Sequence, residues 1–201
     1  NTFGTDHPFP SLSVDNEYFK ETGDGFRGSV FPIMNFMVIK GLEKYQHYEL
    51  AREYSIRHLY YILEGLMPND KNQKGDLFEA YCPLKEGKAS CESLPDWPRS
   101  HFLISAGLST IALMIENVIG LSISLPRKTV DWIIPNLEIM GIENLSLKRN
   151  MITILSNKST RGWEIQMESE KLYYFTINIL GSKKKTLPIP SGKCSMLIDK
   201  L

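Results

Sequence analysis

The chain has 201 residues, 42% of them hydrophobic and 23% charged, and its formal net charge is +0. This composition is typical of a folded globular protein, which excludes the fibrous and intrinsically disordered classes, and the length suits one large domain or two small ones. A net charge of zero gives no general attraction to nucleic acid or to an anionic membrane surface, and the sequence has no run of about 18 apolar residues that would predict a transmembrane helix.

The first part of the chain predicts a long loop followed by helices. Residues 1–30 contain four glycines and show no periodicity, which is uncommon for a loop without a function. Pro32 suits the first turn of a helix, and apolar residues then recur at steps of three and four. A second helix is predicted over about residues 49–66.

Residues 67–104 predict a second long loop, and about residues 105–119 a third helix. This third helix is apolar nearly all round, which is typical of a buried helix. Gly120 ends it as a C-terminal cap would.

After Gly120 the hydrophobic period becomes two. Trp163, Ile165 and Met167 alternate with polar residues, and short polar runs at 148–150 and 169–171 predict hairpin turns. The sequence therefore predicts a mainly α protein with a β-rich tail, in which residues 1–120 are helical and residues 121–201 form a small antiparallel sheet or sandwich.

The pattern of cysteines and histidines predicts no metal site and no cofactor. Cys82, Cys91 and Cys194 lack zinc-finger spacing, and Cys82 and Cys91 are either free thiols or, in an oxidising compartment, a disulfide. No histidine pair has metal-ligand spacing, and neither a nucleophile elbow nor a phosphate-binding loop is present in the sequence.

Glycoside cleavage requires two carboxyl groups on opposite sides of the scissile bond, together with aromatic surfaces for the sugar. Glu79 lies between two aromatic residues in the second long loop, where it is either a catalytic carboxylate or a solvated loop residue. Arg27 is either a ligand-binding residue or an ion-pair partner, and Asn35 is either an inward-facing amide or a core residue. His101 is either a general base or a structural residue.

Four segments together resemble the C-terminal part of the (α/α)6-barrel glycosidases, which include trehalase-like, processing α-glucosidase-like and mannosylglycerate hydrolase-like enzymes. The β-rich tail is also similar to the small sheet that follows such barrels. The segments, in chain order, are GDGFRGSVFPIMNFMVIKGLEKY (23–45), ELAREY (49–54), LFEAYCP (77–83) and HFLISAGLSTIALMIENVIGL (101–121).

The resemblance implies an inverting glycoside hydrolase, with Glu79 as the general base that deprotonates the attacking water. It implies that residues 1–120 are the C-terminal hairpins of a partial (α/α)6 toroid. Arg27 would bind sugar hydroxyls. The residues expected to line the same pocket are Phe26, Phe31, Asn35 and Tyr81, with the two phenylalanines standing where the family usually has tryptophan.

Three features depart from the family pattern. The sequence has no counterpart of the family's general acid, an aspartate from an earlier barrel segment, and Asp76 lies too close to Glu79 along the chain to replace it. A tryptophan is missing near Ile104, and three helices are too few for a six-hairpin barrel. The resemblance therefore predicts either a piece of a longer glycosidase or a truncated relative.

Two alternatives remain beside the enzyme: a non-catalytic protein that binds carbohydrate or supports a partner chain, and a purely structural module. The expected ligand is a carbohydrate, and the expected protein partner is the missing barrel segment or a second copy of the chain. Neither nucleic acid nor membrane is expected as a partner. The resemblance favours a periplasmic or secreted protein.

Overall fold

The computed structural model describes residues 2–68, 74–134, 139–179, 183–189 and 191–199. The chain divides into two compact units, Asn1–Val118 and Ile119–Leu201. The first unit is helical with long loops, and the second is built from strands.

Helices α1 and α2 of the first unit lie close to where the sequence predicts them. Helix α1 spans Pro32–Lys44, and α2 spans Tyr48–Leu66. Proline is favoured at the first position of α1 because the amide that it lacks would have no partner within the helix. None of the described helices is long and apolar enough to cross a membrane.

The third helical segment combines helix α3, Leu108–Leu113, with wider π turns on either side, Leu103–Gly107 and Met114–Ile119. Leu113 is fully buried, but the side chains of Leu108 and Ile111 are 64% and 57% exposed. The prediction of a helix buried all round is therefore wrong. In the part of the first unit that the structure describes, no element packs over the face that carries Leu108 and Ile111.

The core of the first unit joins all three helices. Ile39 of α1, Ala51 of α2 and Leu113 of α3 are completely buried together. The partly buried residues that pack against them are Phe9, Phe36, Leu42 and Tyr54. Burial of these side chains is the main force that holds the helices together.

A polar cluster lies inside the same unit. Nδ1 of His58 lies 2.8 Å from Nε2 of His7 and 2.9 Å from Nδ2 of Asn35, and all three residues are fully buried. An amide nitrogen only donates hydrogen bonds, so Nδ1 of His58 is an acceptor and the ring is neutral. Burial lowers the pKa of His58 to about 3 and, together with the neighbouring His58 ring, lowers the pKa of His7 well below its usual value.

Cys82 and Cys91 are free thiols in the structure. Cys82 is buried, and its sulfur donates to the carbonyl oxygens of Thr22 and Lys88 at 3.5 and 3.3 Å. Cys91 is only partly buried. The structure therefore contains free thiols at both positions and no bond between them.

The second unit contains two four-stranded sheets. The first has the order β1-β2-β6-β7, formed by Leu121–Ser124, Thr129–Ile134, Tyr173–Ile179 and Lys183–Ile189. The second has the order β3-β4-β5-β8, formed by Ile139–Ser146, Met151–Lys158, Gly162–Ser169 and Gly192–Asp199. The helical part followed by a β-rich part agrees with the predicted fold class, while the toroid stays a prediction.

The strand pairing differs from the expected antiparallel sheet in one respect. Strands β2 and β6 run parallel, with Trp132 opposite Ile177, so the first sheet is mixed. The second sheet is antiparallel throughout. The predicted hairpin at 148–150 is confirmed, since β3 and β4 pair across it, but the one at 169–171 is wrong because β5 and β6 belong to different sheets.

The alternation of apolar residues gives each sheet one buried face. In the first sheet Trp132 and Phe175 are fully buried, and in the second Ile154 and Ile165 are. Such alternation places every second side chain on the same face of a strand.

Gly120 precedes β1 with a φ of +88°, and the predicted helix-ending glycine is confirmed. A Cβ at this position would lie 2.1 Å from the carbonyl oxygen of Ile133.

Candidate functional site

The loop that carries Glu79 is held by backbone hydrogen bonds to two other segments. Val30 and Tyr81 exchange a pair of hydrogen bonds, each 2.9 Å long. The amide of Glu79 donates to the carbonyl oxygen of Arg99 at 3.0 Å. These contacts bring the loop before α1, the Glu79 loop and the segment before α3 together.

A cavity of about 650 Å³ lies where these segments meet. Its volume is within the range of small-molecule sites, about 300–1,000 Å³. Its apolar lining consists of Phe31, Ile33, Phe102, Leu103 and Ile104. Its polar lining consists of Glu79, Arg99, His101 and Ser105.

Glu79 is paired with Arg99 inside this lining. Nε and Nη2 of Arg99 donate to the two carboxylate oxygens, each at 2.8 Å, which is the bidentate geometry of a strong ion pair. These hydrogen bonds from Arg99 hold the pKa of Glu79 below its usual value. The side chain of Arg99 is 67% exposed and lies over the ring of Phe102, so one partner of the pair faces solvent.

Aromatic rings flank the cavity. Phe31 lines it, and the ring of Phe26 stacks on Phe31 with a centroid distance of 5.0 Å. The ring of Trp97 lies 6.3 Å from that of Phe31 on a tilted plane. Phe26 is 74% exposed. Exposed rings beside a carboxylate are the surfaces that carbohydrate C–H groups contact.

The other three residues predicted for the site lie away from the cavity lining. Arg27 forms an ion pair with Asp24. Asn35 is buried against His58, and the hydroxyl oxygen of Tyr81 accepts a hydrogen bond from the amide of Phe78 at 3.0 Å. Burial raises the pKa of Tyr81 to about 12. The structure therefore places Glu79 and Phe31 in one cavity lining, with Phe26 stacked on Phe31, while direct ligand contacts of Phe26, Arg27, Asn35 and Tyr81 stay predictions.

His101, which lines the same cavity, is paired with Asp76, which lies outside that lining. Oδ2 of Asp76 lies 2.9 Å from Nδ1 of His101. Oδ1 of Asp76 accepts hydrogen bonds from the amides of Leu77 and His101 at 2.7 and 3.1 Å. Burial would raise the pKa of Asp76, but these two amides and the His101 ring outweigh it and lower the pKa below its usual value.

Arg99 and Trp97 were not among the residues predicted for the site. Both lie in the segment DWPRSHF, where only the unusual density of aromatic and charged residues marks them. Ile104, which stands near the position of a family tryptophan, lines the cavity and is 82% exposed. Among the described residues, no group of three or more acidic, histidine or cysteine side chains is arranged to hold a metal ion.

The second unit is similar to a known family of protein domains. Residues 120–201 match the family model described as "Trehalase, C-terminal domain". This part of the chain is similar to the C-terminal domain of trehalases. The matched part begins at Gly120 and includes both sheets.

One relative matches over the whole chain. An "Uncharacterized protein" of Borreliella burgdorferi is 60% identical over 202 residues, which are 100% of this chain and 42% of the relative. The chain thus spans less than half the length of that relative. No solved structure matches the chain.

Proposed function

We propose that this chain takes part in the hydrolysis of an α-linked glucoside by an inverting, trehalase-like mechanism, with Glu79 as the general base. The observation that carries the proposal is the match of residues 120–201 to a trehalase C-terminal domain, which indicates a glycoside hydrolase lineage. The cavity in the helical unit supports it, since it combines a carboxylate with an aromatic wall.

In this mechanism the carboxylate of Glu79 accepts a proton from a water molecule. The water oxygen attacks the anomeric carbon from the side opposite the leaving oxygen, and the glycosidic bond breaks. The leaving oxygen must receive a proton from a second carboxyl group, about 6.5–9.5 Å away in inverting enzymes. We propose that this acid comes from a barrel segment outside the 201 residues, in line with the 42% coverage of the longer relative.

Arg99 and the aromatic residues have defined parts in this proposal. Arg99 is mostly exposed, so it can leave Glu79 and bind a sugar hydroxyl while a water approaches the carboxylate. Phe26 and Phe31 form the wall against the sugar ring. Asn35 and Tyr81 are buried, so they act by holding the segments that carry Phe31 and Glu79.

The test of the base is a matched pair of glutamate substitutions. With the segment that supplies the general acid present, hydrolysis of trehalose and of aryl α-glucosides is measured for the wild type, Glu79→Gln and Glu92→Gln, the last being a change at an exposed loop residue. Loss of a general base lowers the rate about 10²–10⁴-fold, so Glu79→Gln is expected to fall by that factor and Glu92→Gln to stay unchanged. Proton NMR of the first product is expected to show the β anomer. Equal rates for all three proteins would reject Glu79 as the base.

One observation favours a second candidate, a non-catalytic carbohydrate-binding relative. Both carboxylate oxygens of Glu79 accept hydrogen bonds from Arg99, which lowers the pKa of Glu79 and makes it a weaker base toward water. A binder of this kind would show a raised thermal unfolding temperature with mono- or disaccharides and no hydrolysis by wild type. Hydrolysis that Glu79→Gln abolishes would exclude it.

A further inference from the structure

The Asp76–His101 pair lies outside the residues assigned so far to the proposed reaction. One carboxylate binds both the ring and the backbone amide of His101, at 2.9 and 3.1 Å. A carboxylate held in this way fixes the orientation of an imidazole and the position of its proton. Asp76 is therefore placed to set which ring nitrogen of His101 carries hydrogen.

The backbone of His101 adopts an uncommon conformation at this place. Its φ is +54°, in the left-handed region, which costs a side chain other than glycine some conformational energy. Such conformations concentrate at sites where a side chain must point in a defined direction. The bonds from Asp76 hold His101 in this conformation.

The imidazole borders the Glu79 cavity and is largely exposed. His101 belongs to the lining that also contains Glu79 and Arg99, and its side chain is 74% exposed. Since a carboxylate oxygen only accepts, Nδ1 carries the proton in the neutral ring and Nε2 carries a lone pair. In the part of the chain that the structure describes, Nε2 has no hydrogen-bond partner.

The chemistry of the lining selects a class of ligand. Glu79 and Arg99 neutralise each other, so the cavity has no strong preference for an ion of either sign. Apart from this pair it offers apolar side chains, a hydroxyl group and the imidazole acceptor. A neutral molecule with apolar faces and donating hydroxyl groups fits these properties.

We propose that His101 contacts the ligand in the Glu79 cavity, with Nε2 accepting a hydrogen bond from a sugar hydroxyl, and that Asp76 is its positioning residue. The proposal deepens the proposed function and rests on it, because it takes the ligand to be a carbohydrate. The competing explanation is that the pair only joins two loops, which already share a backbone hydrogen bond from Phe102 to Leu77.

The experiment that separates these explanations is ring-nitrogen NMR of the full chain labelled with ¹⁵N-histidine, titrated with glucose and with trehalose. The protein has four histidines, of which His7 and His58 are buried and His47 is an exposed internal control. Binding is expected to shift Nε2 of His101 and to leave both His47 nitrogens unchanged. A second sample, labelled with ¹³C-phenylalanine, reports occupation of the cavity independently through the Phe31 ring.

The variants use the same change at two positions. Asparagine tolerates the left-handed region, so His101→Asn keeps the backbone and removes the imidazole. It is expected to raise the Kd for the sugar about five- to tenfold, the effect of losing one hydrogen bond, while His47→Asn leaves the Kd unchanged. Asp76→Asn is expected to move Nε2 of His101 from a pyridine-like to a pyrrole-like signal, which a role limited to joining loops does not predict.

Each outcome decides the proposal. Shifts at Phe31 without a shift at His101 would overturn it and leave the proposed carbohydrate ligand intact. An unchanged Kd for the sugar in a folded His101→Asn variant would likewise overturn the His101 contact and leave the carbohydrate ligand intact. A wild-type protein in which no signal responds to either sugar would overturn both proposals together. An unchanged His101 tautomer in Asp76→Asn would remove Asp76 from its positioning role.

Discussion

At the scale of single residues, the pairing of Glu79 with Arg99 decides the chemistry that the cavity offers. A carboxylate fixed by two hydrogen bonds is a weaker base than a free one, because the ionised form is stabilised. Whether Glu79 acts as a base therefore depends on how readily Arg99 leaves it. Since the guanidinium is mostly exposed, water competes for it, and the pair contributes little to stability.

Replacing Arg99 by methionine is expected to raise the pKa of Glu79 towards its usual value. The hydrogen bonds from Arg99 are the largest cause of the lowering, and methionine keeps the apolar contact with Phe102 while removing the charge. The pKa is read from the ¹³C titration of the Glu79 carboxyl group.

The direction in which the Glu79–Arg99 pair makes stability depend on pH follows from the lowered pKa of Glu79. A lowered pKa stabilises the folded state above the unfolded carboxyl's pKa, and this stabilisation is lost as the pH falls. The stability of the Arg99→Met variant is expected to change little at neutral pH and to depend less on pH in the acid range. Arg127→Met, at an exposed residue of the other unit, is the control. Equal pKa values for Glu79 in Arg99→Met and Arg127→Met would contradict an ion pair between Glu79 and Arg99 in solution.

Individual residues were predictable where their geometry is local. Gly120 was predicted to end the third helix, and it has a φ of +88°, a conformation that glycine favours. Arg99 was not predictable, because it meets Glu79 only through the path of a loop that has no periodicity. For Asn35 the sequence left two roles open, an inward-facing amide or a core residue. They could not be separated because its partner His58 lies on another helix.

At the scale of elements, helix starts and strand alternation followed from sequence, while strand partners did not. Pro32 and the spacing of the apolar residues predicted the first residues of α1 and α2 to within one position. Alternation shows that a segment is a half-buried strand, but it carries no information about which strand lies beside it. The sequence therefore did not predict that β2 pairs parallel with β6. Nor did it predict that β5 and β6 belong to different sheets.

The buried histidines that join the N-terminal loop to α2 make the stability of the first unit depend on pH. Their pKa values are lowered in the folded state, so below pH 6.5 the unfolded chain binds protons that the folded chain does not. As the pH is lowered, the free energy of unfolding is expected to fall by about 1.4 kcal/mol per pH unit for each histidine. For His58 the loss continues down to a pH of about 3.

Urea unfolding between about pH 6.5 and 4.5 measures this slope above the range in which most carboxylates titrate. His58→Gln is expected to reduce the slope by about half, since His7 still titrates on unfolding. His47→Gln, at an exposed position before α2, is the matched control and should keep the full slope. A wild-type slope near zero would show that the two rings are not buried in solution.

At the scale of the whole molecule, large apolar side chains are exposed on α1, on α2 and in the third helical segment. On α1 they include Met37, which is 67% exposed, and in the third segment they include Ile104 and Leu108. Exposed apolar surface favours association. This agrees with the proposal that a further barrel segment covers the helical unit.

Replacing both Ile104 and Leu108 by lysine is expected to reduce self-association of the chain, measured by sedimentation velocity. Because both side chains are exposed, the free energy of unfolding should change by less than about 0.5 kcal/mol. Leu113→Ala, at a fully buried neighbour, is the contrasting control and should cost about 2–5 kcal/mol. A loss of several kcal/mol in the double lysine variant would mean that these side chains are covered in solution.

The parallel pairing of β2 with β6 has a consequence for the order in which the strands of the second unit form. Residues 135–172 separate the two strands, whereas β3, β4 and β5 follow one another and pair with their neighbours. Closing a long loop costs more entropy than closing a hairpin, so distant pairings form late. Pulsed hydrogen exchange during refolding should protect the amides of β4 before those of β2, which places the β3–β5 meander at the start of the folding pathway.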